Sequence, residues 1–432
     1  MCWNQFLTNG ASNELSSQPD EPTKPRRATF GIELLDEIYQ ELDMEHPLNT
    51  TSAQEASSSA ELGSFNCHRP DRVSPHSDPA YGAIKAVDLF CGAGGLTYGL
   101  NQAGIKVVEG VDVDSTCRHA YEFNNDARFV HRSVLNYSAR EIKEAFGDAS
   151  VKLLAGCAPC QPFSTYTQGP RGNHRDKWAL LDRFGELARD SNPDIVSMEN
   201  VTPLAETERF RAFVEELEDA GFQVNHWIID CRHYGAPQQR RRLVLLASRY
   251  GQVDILPPTH PSEEDWKVVR EAISDLPPLG AGDIDPADPL HRTSRLSKVN
   301  MQRMLASKPG GTWRDWPDDL RAACHTRSTG KTYPAVYGRM EWDKPAPTMT
   351  GQCFGFGNGR FGHPEQHRAI SLREAAIIQT FPASYSFVEP GAPVHMKSVG
   401  RMIGNAVPPL LGYVIGKSIL AHIREKSIVE RA

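Results

Sequence analysis

Ala83-Ile84-Lys85-Ala86-Val87-Asp88-Leu89-Phe90 leads straight into Cys91-Gly92-Ala93-Gly94-Gly95, and then into Leu96 to Ala103. The first stretch is short and apolar, as expected of a buried strand; the second is a glycine-rich turn; the third has helical spacing. The same alternation continues outward. Lys106 to Val113 is a second strand closing on Asp112, and Val151 to Ala155 is a third. A helix over Leu180 to Arg189 precedes a fourth strand, Asp194 to Met198, and Leu243 to Ala247 is a later one. Strand and helix in alternation predict an α/β fold with a mostly parallel, doubly wound, Rossmann-like sheet. In such sheets ligands bind beyond the carboxyl ends of the strands.

The flanking regions differ. Residues 250–365 are rich in proline and glycine, carry Trp266, Trp313, Trp316 and Trp342, and predict a smaller second lobe. Helical spacing returns at 371–380, and Pro409 to Arg424 closes the chain as an apolar helix. Residues 1–80 are rich in Ser, Pro, Asn and Glu and are expected to be mostly disordered. Within them Phe30, Leu34, Leu35, Ile38, Tyr39 and Leu42 mark an amphipathic helix over 30–42 that docks on the body, stays solvated, or binds a partner.

The net charge of −7 is unevenly placed: residues 1–80 hold 13 acidic and 5 basic side chains, whereas residues 291–344 hold 11 Lys and Arg against 5 Asp and Glu. The whole-chain charge therefore does not exclude a polyanionic partner. The nine cysteines are scattered and odd in number, unlike a disulfide framework. No secretory signal opens the chain and no apolar run approaches the roughly 20 residues of a membrane span, so an intracellular, non-membrane protein is expected.

Four segments carry candidate chemistry. In the glycine-rich turn, Gly92, Gly94 and Gly95 do not have dinucleotide Gly-x-Gly-x-x-Gly spacing, and Asp112 lies 17 residues after Gly95. A carboxylate ending the second strand is placed to accept hydrogen bonds from two ribose hydroxyls, so the turn suits a nucleoside cofactor without a pyrophosphate, or else is a purely structural turn. Gly156-Cys157-Ala158-Pro159-Cys160-Gln161-Pro162-Phe163-Ser164 follows the third strand. Its Cys-x-x-Cys allows a redox pair, half a zinc site or an inert buried thiol. The lack of a second such pair and Pro162 favour a nucleophile in a proline-stiffened loop, with no metal. Glu199, in Ser197-Met198-Glu199-Asn200-Val201, is a carboxylate at a buried strand end, either functional or a helix cap. Gln238-Gln239-Arg240-Arg241-Arg242 runs into the strand at Leu243, so Arg240 and Arg242 are expected on one face, unless the run is simply solvated.

Together these segments resemble the DNA (cytosine-5)-methyltransferase family, in order, from about residue 84 to 420. The match includes Asp88 to Gly95, Ala158-Pro159-Cys160-Gln161-Pro162-Phe163-Ser164, Glu199-Asn200-Val201 and Gln238-x-Arg240-x-Arg242. It continues with Ser371-Leu372-Arg373-Glu374-Ala375-Ala376 and Gly404-Asn405-Ala406-Val407-Pro408-Pro409. The resemblance implies S-adenosylmethionine as methyl donor and a flipped-out cytosine in duplex DNA as substrate. It implies Cys160 as the nucleophile at C6, Glu199 on the N3 edge, and Arg242 with Arg240 on the pyrimidine carbonyl and a phosphate. Phe90, Gly92, Gly94, Gly95, Asp112, Val113, Pro159, Leu180, Asn405 and Val407 would form the cofactor pocket. Ser133 stands where the family often has an aspartate toward the adenine amino group. DNA contacts are implied for Gln161, Ser164 and Gln238, and expected for the basic residues Arg295, Arg314 and Arg327. The implied organisation is a catalytic domain at 83–249, a target-recognition lobe at 250–367 and a returning segment at 368–432. A cognate restriction nuclease is a partner such an enzyme brings into view. Two rivals stand beside this reading: a tRNA cytosine-5 methyltransferase, whose Cys-Phe-Thr signature has its nearest match at Cys353-Phe354-Gly355, and a non-catalytic DNA-binding homologue.

Overall fold

The computed structural model describes residues 83–159, 178–327 and 336–429. The N-terminal residues 1–80, the 30–42 helix, Cys160, Gln161 and Ser164 lie outside the described residues.

The main sheet is built from β1 (Ile84–Leu89), β2 (Lys106–Asp112), β3 (Arg128–His131), β4 (Val151–Gly156), β5 (Ile195–Val201), β6 (Gln223–Asp230) and β8 (Arg241–Ser248). These seven strands lie in the order β3-β2-β1-β4-β5-β8-β6. The first five run parallel; β8 is antiparallel to both β5 and β6. The sheet is therefore mixed, with the reversed β8 inserted beside β5. A two-residue strand β7 (Gln238–Gln239) pairs with β9 (Ala346–Pro347) outside the main sheet.

The chain runs from β1 outward through β2 to β3 and then returns to β4 on the other side of β1. That reversal opens a crevice at the carboxyl ends of β1 and β4, where open α/β sheets bind ligands. The turn at 90–95 and the loop at 157–159 both start there.

Helices cover both faces because the central strands bury side chains on both sides. One face carries α1 (Gly95–Ala103) and α11 (Pro409–Val429), with Leu96, Leu100, Val414 and Ile419 in its core. The other carries α3 (Ala139–Phe146), α4 (Ala179–Ser191) and α5 (Glu208–Asp219), packed through Phe146, Phe184 and Phe213. By length and composition alone, Met396–Lys426 could cross a membrane, contrary to the sequence expectation that no run comes close. It is in fact α10 (Met396–Asn405) followed by α11, and 67% of its most apolar window is buried inside the fold. Its hydropathy is that of core helices.

Residues 250–367 do not share one separate core. Val269, Ile273, Leu290, Met340 and Phe361 belong to the same core as Cys91, Tyr121 of α2 (Arg118–Asn124), Leu372 and Ile378 of α9 (Leu372–Ile378), and Ile403. Only a small cluster of Met304, Trp313, Trp316, Phe356 and Ala369 stands apart. The remaining short helices of this region are α6 (Val269–Ile273), α7 (Lys298–Ala306) and α8 (Ala323–Thr326). The motif at 371–376 explains itself here. Ser371 caps α9 with Glu374 in a reciprocal capping box, and buried Glu374 takes two 2.7 Å hydrogen bonds from Arg368.

Candidate active site

The turn after β1 is strained and tied to β2. Phe90 has φ +62, a left-handed conformation that is costly for a side chain with a Cβ. The backbone N–H groups of Phe90 and Cys91 both donate to the Val111 carbonyl, and that of Gly92 donates to Asp112 Oδ2 at 2.9 Å. The other Asp112 oxygen accepts from the Asp114 amide at 2.8 Å. Burial pushes the Asp112 carboxyl up from its usual value, and these amide bonds oppose the shift.

The three glycines have different reasons to be glycine. A Cβ on Gly92 would meet nothing within 4 Å, so this position faces open space. On Gly94, at φ +91, it would come within 2.5 Å of Asn125 Nδ2; on Gly95, within 2.2 Å of the Val407 carbonyl. Gly94 and Gly95 are therefore required by close packing of the protein on itself, whereas Gly92 is favoured by its left-handed φ of +52 and has open space beside it. Beside this opening Val113 is 68% exposed, next to Asp112. An apolar side chain held in solvent beside an anchored carboxylate fits a nucleoside, with the base on Val113 and the ribose on the remaining Asp112 lone pairs. Ser133 bonds weakly to its own loop, accepting from the Leu135 amide at 3.4 Å. Asn405 is exposed and Leu180 is half-buried in the first turn of α4.

The loop after β4 meets β5. The Asn200 amide donates to the Ala158 carbonyl at 2.9 Å, pinning the backbone that enters Pro159 and Cys160. Asn200 belongs to the Glu-Asn-Val motif, but its job shows only in three dimensions. Glu199 is 2% exposed. In the β5–β8 ladder Glu199 is opposite Val244 and Val201 opposite Arg242, which makes Glu199 and Arg242 diagonal neighbours on one face. Arg242 Nε lies 2.9 Å from Glu199 Oε1, close enough for an ion pair, yet that oxygen accepts no aligned hydrogen bond. Glu199 Oε2 accepts from the Cys157 thiol at 2.8 Å. Burial first, and then the charge of Glu199, push the Cys157 thiol well above its usual range. Cys157 thus stays protonated at neutral pH and is a poor nucleophile.

Two expected site residues are buried and hydrogen-bonded within the protein. Arg240 is 2% exposed and donates to the carbonyls of Met349 at 3.0 Å, Gly404 at 3.4 Å and Ala406 at 2.9 Å. The Arg240 amide bonds back to the Gln238 carbonyl at 3.0 Å, a tight turn between β7 and β8 that interrupts the two-residue alternation. Burial, followed by repulsion from Arg242, pushes the Arg240 guanidinium down to about 9. Gln238 is completely buried. Its amide donates to the Ile378 carbonyl and to Gln379 Oε1, and its oxygen accepts from the Met349 amide. Together the two residues clamp segments 346–349, 378–379 and 404–406 to the start of β8. Arg295, Arg314 and Arg327 are all exposed. Among the described residues no group of three His, Cys, Asp or Glu side chains is placed to hold a metal.

Residues 84–421 match the family described as C-5 cytosine-specific DNA methylase. The chain belongs to that family. It is similar to the type II methylase M.HgiDII of Herpetosiphon aurantiacus, with 50% identity covering 77% of this chain and 94% of that one. It is also similar to the type II methyltransferase M.Eco47II of Escherichia coli, 29% identical over 79% of each. Two solved structures share the fold. A prophage-encoded DNA modification methyltransferase from Escherichia coli gives a TM-score of 0.60 at 20% identity, covering 78% of this chain and 99% of the other. A DNMT2 variant from Spodoptera frugiperda gives 0.52 at 17% identity, covering 79% and 100%. The protein is a DNA (cytosine-5-)-methyltransferase with a mixed seven-stranded α/β sheet. Cys353, the nearest match to a tRNA-methylating signature, is completely buried in the core.

Proposed function

We propose that this methyltransferase uses S-adenosylmethionine to methylate a flipped-out cytosine within a specific duplex sequence, through a covalent adduct between Cys160 and C6. Cytosine C5 is a weak nucleophile, and a thiolate adding at C6 turns the ring into an enamine that is electron-rich at C5. S-adenosylmethionine, when bound, supplies an electrophilic methyl group. Glu199 holds the N3 edge and passes a proton to it as charge develops, and Arg242 holds the pyrimidine carbonyl. After C5 takes the methyl group, a base removes the C5 proton and the Cys160 sulfur leaves. Asp112 binds the ribose, Val113 and Phe90 pack on the nucleoside, and Gly92 lets it approach. Pro159, Leu180, Asn405, Val407 and Ser133 complete the pocket, while Gln161 and Ser164 face the DNA.

The observation that carries this reading is the Glu199–Arg242 pair. A buried carboxylate keeps one oxygen free of aligned hydrogen bonds, at the strand edge beside the loop that Asn200 pins. Cys157 is removed as a rival nucleophile by its bond to Glu199. Sequence recognition falls to the exposed basic residues of 250–367, including Arg295, Arg314 and Arg327, with 83–249 and 368–432 forming the catalytic body. Its relative M.HgiDII is a type II methylase, which favours a restriction nuclease of the same specificity as a partner inside the cell.

Bisulfite sequencing of DNA from cells expressing the full chain tests the reading. A fixed sequence context should be protected, and Cys160→Ser should abolish protection. An active Cys160→Ser variant would refute the assignment.

A further inference from the structure

We infer that Cys157 is a positioning residue for Glu199: its thiol holds Oε2, so that Oε1 is presented to the cytosine. The inference rests on the reading of Glu199 given above.

The Glu199 carboxylate sits between two elements. From β8, Arg242 Nε approaches Oε1 at 2.9 Å. From the loop after β4, the Cys157 thiol donates to Oε2 at 2.8 Å, an oxygen that accepts whether or not Oε1 carries the proton. A carboxylate at a strand end has a free χ3 rotation, broad and roughly two-fold. One ion pair to a single oxygen leaves that rotation loose. A second contact to the other oxygen, from a different strand, fixes the plane of the group. Oε1 is then the atom left without an aligned hydrogen bond, in a side chain 2% exposed. Cytosine N3 carries a lone pair and no hydrogen, so Oε1 meets it as the protonated oxygen of Glu199 and donates to it.

The other groups that face this pair do not duplicate the role. Arg240 is near enough to Glu199 for their charges to interact, the Cys231 thiol is kept neutral by burial, and Asp88 reaches Cys157 only as the weakest of its electrostatic influences. Arg240 Nη1 and Nη2 donate to backbone carbonyls, and its buried Nε has no hydrogen-bond partner. Cys157 is the described side chain that hydrogen-bonds to the Glu199 carboxylate. Its protonated state follows from burial beside a negative charge, so the thiol serves as a donor throughout turnover and forms no bond to substrate.

The experiment uses the full chain with Cys157→Ala, Cys157→Ser and Glu199→Gln, following single-turnover methyl transfer with cofactor and DNA affinities in parallel. Cys157→Ala should slow methyl transfer about three- to tenfold, as expected for one missing hydrogen bond. Both affinities should stay within about twofold, since the thiol touches neither ligand. Cys157→Ser restores an O–H donor and should recover the rate. A Cys157→Ala enzyme identical to the unmodified one overturns the inference. So does a Cys157→Ser enzyme as impaired as Cys157→Ala, because the residue would then only pack. Loss of cofactor binding in both variants overturns it as well. Glu199→Gln separates the two levels. If it is inactive while Cys157→Ala is normal, only the role of Cys157 fails; if it stays active, the reading of Glu199 fails and this inference with it.

Discussion

Replacing Arg240 by alanine should damage stability far more than DNA binding. The guanidinium is 2% exposed and bridges Met349, Gly404 and Ala406 through their carbonyls. Ala406 keeps a second donor, the Gln379 amide at 2.8 Å, so truncation takes the arginine's donors chiefly from Met349 and Gly404. A buried carbonyl left without a donor costs about 1–3 kcal/mol. The cavity left by the side chain adds to this, and relief of a buried cation offsets part of it. The net loss should be about 3–5 kcal/mol, comparable to breaking one side of a buried ion pair. Arg240→Lys keeps a charge but cannot span three carbonyls, and should fall in between. Urea unfolding followed by circular dichroism gives the stability, and a salt titration of DNA affinity gives the alternative. If Arg240→Ala unfolds at the unmodified urea concentration while losing affinity and about one unit of salt slope, then Arg240 binds a phosphate and the argument from burial is wrong.

Three further outcomes are expected. Asp112→Ala should weaken S-adenosylmethionine binding by about 1–3 kcal/mol, measured by calorimetry, without changing which sequence is methylated. Substituting Arg295, Arg314 or Arg327 should weaken DNA binding and flatten its salt dependence by about one unit for each phosphate no longer neutralised, and unchanged affinity, slope and site preference in all three would place recognition elsewhere. Asp88 is 1% exposed, and burial raises its carboxyl to about 7 despite the Thr97 hydroxyl bond. The folded state therefore holds a proton that the unfolded chain releases near 3.8, so this contribution to stability is full below about pH 4 and is lost as the pH rises through about 7. Asp88→Asn keeps an acceptor for Thr97 and should flatten that slope. It should stabilise the protein at pH 8 by up to roughly 4 kcal/mol and much less at pH 5, and an equal effect at both would exclude the linkage.

The sequence by itself determined the alternation of strands and helices, the turn at 90–95, the acid closing β2 and the family. These rest on local patterns: apolar periodicity, turn chemistry, and short motifs a few residues long. Expected and observed bounds differ by only a few residues, as for Leu243 to Ala247 within Arg241–Ser248. The edge strand β6 escapes a reading of periodicity because its mixed burial gives no apolar run. What tertiary structure alone decided is which motif residues face a ligand and which hold the protein together. Gln238 and Arg240 look like a polar, exposed pair in sequence. They are buried because segments more than a hundred residues away close over them and offer the carbonyls that compensate their desolvation. Cys157 reads in sequence as the idle half of a Cys-x-x-Cys. Its bond to Glu199 exists because β4 and β5 are parallel neighbours, placing residues 42 apart in chain at one strand edge. Periodicity reports which face of its own element a side chain occupies, but not what another part of the chain brings to that face.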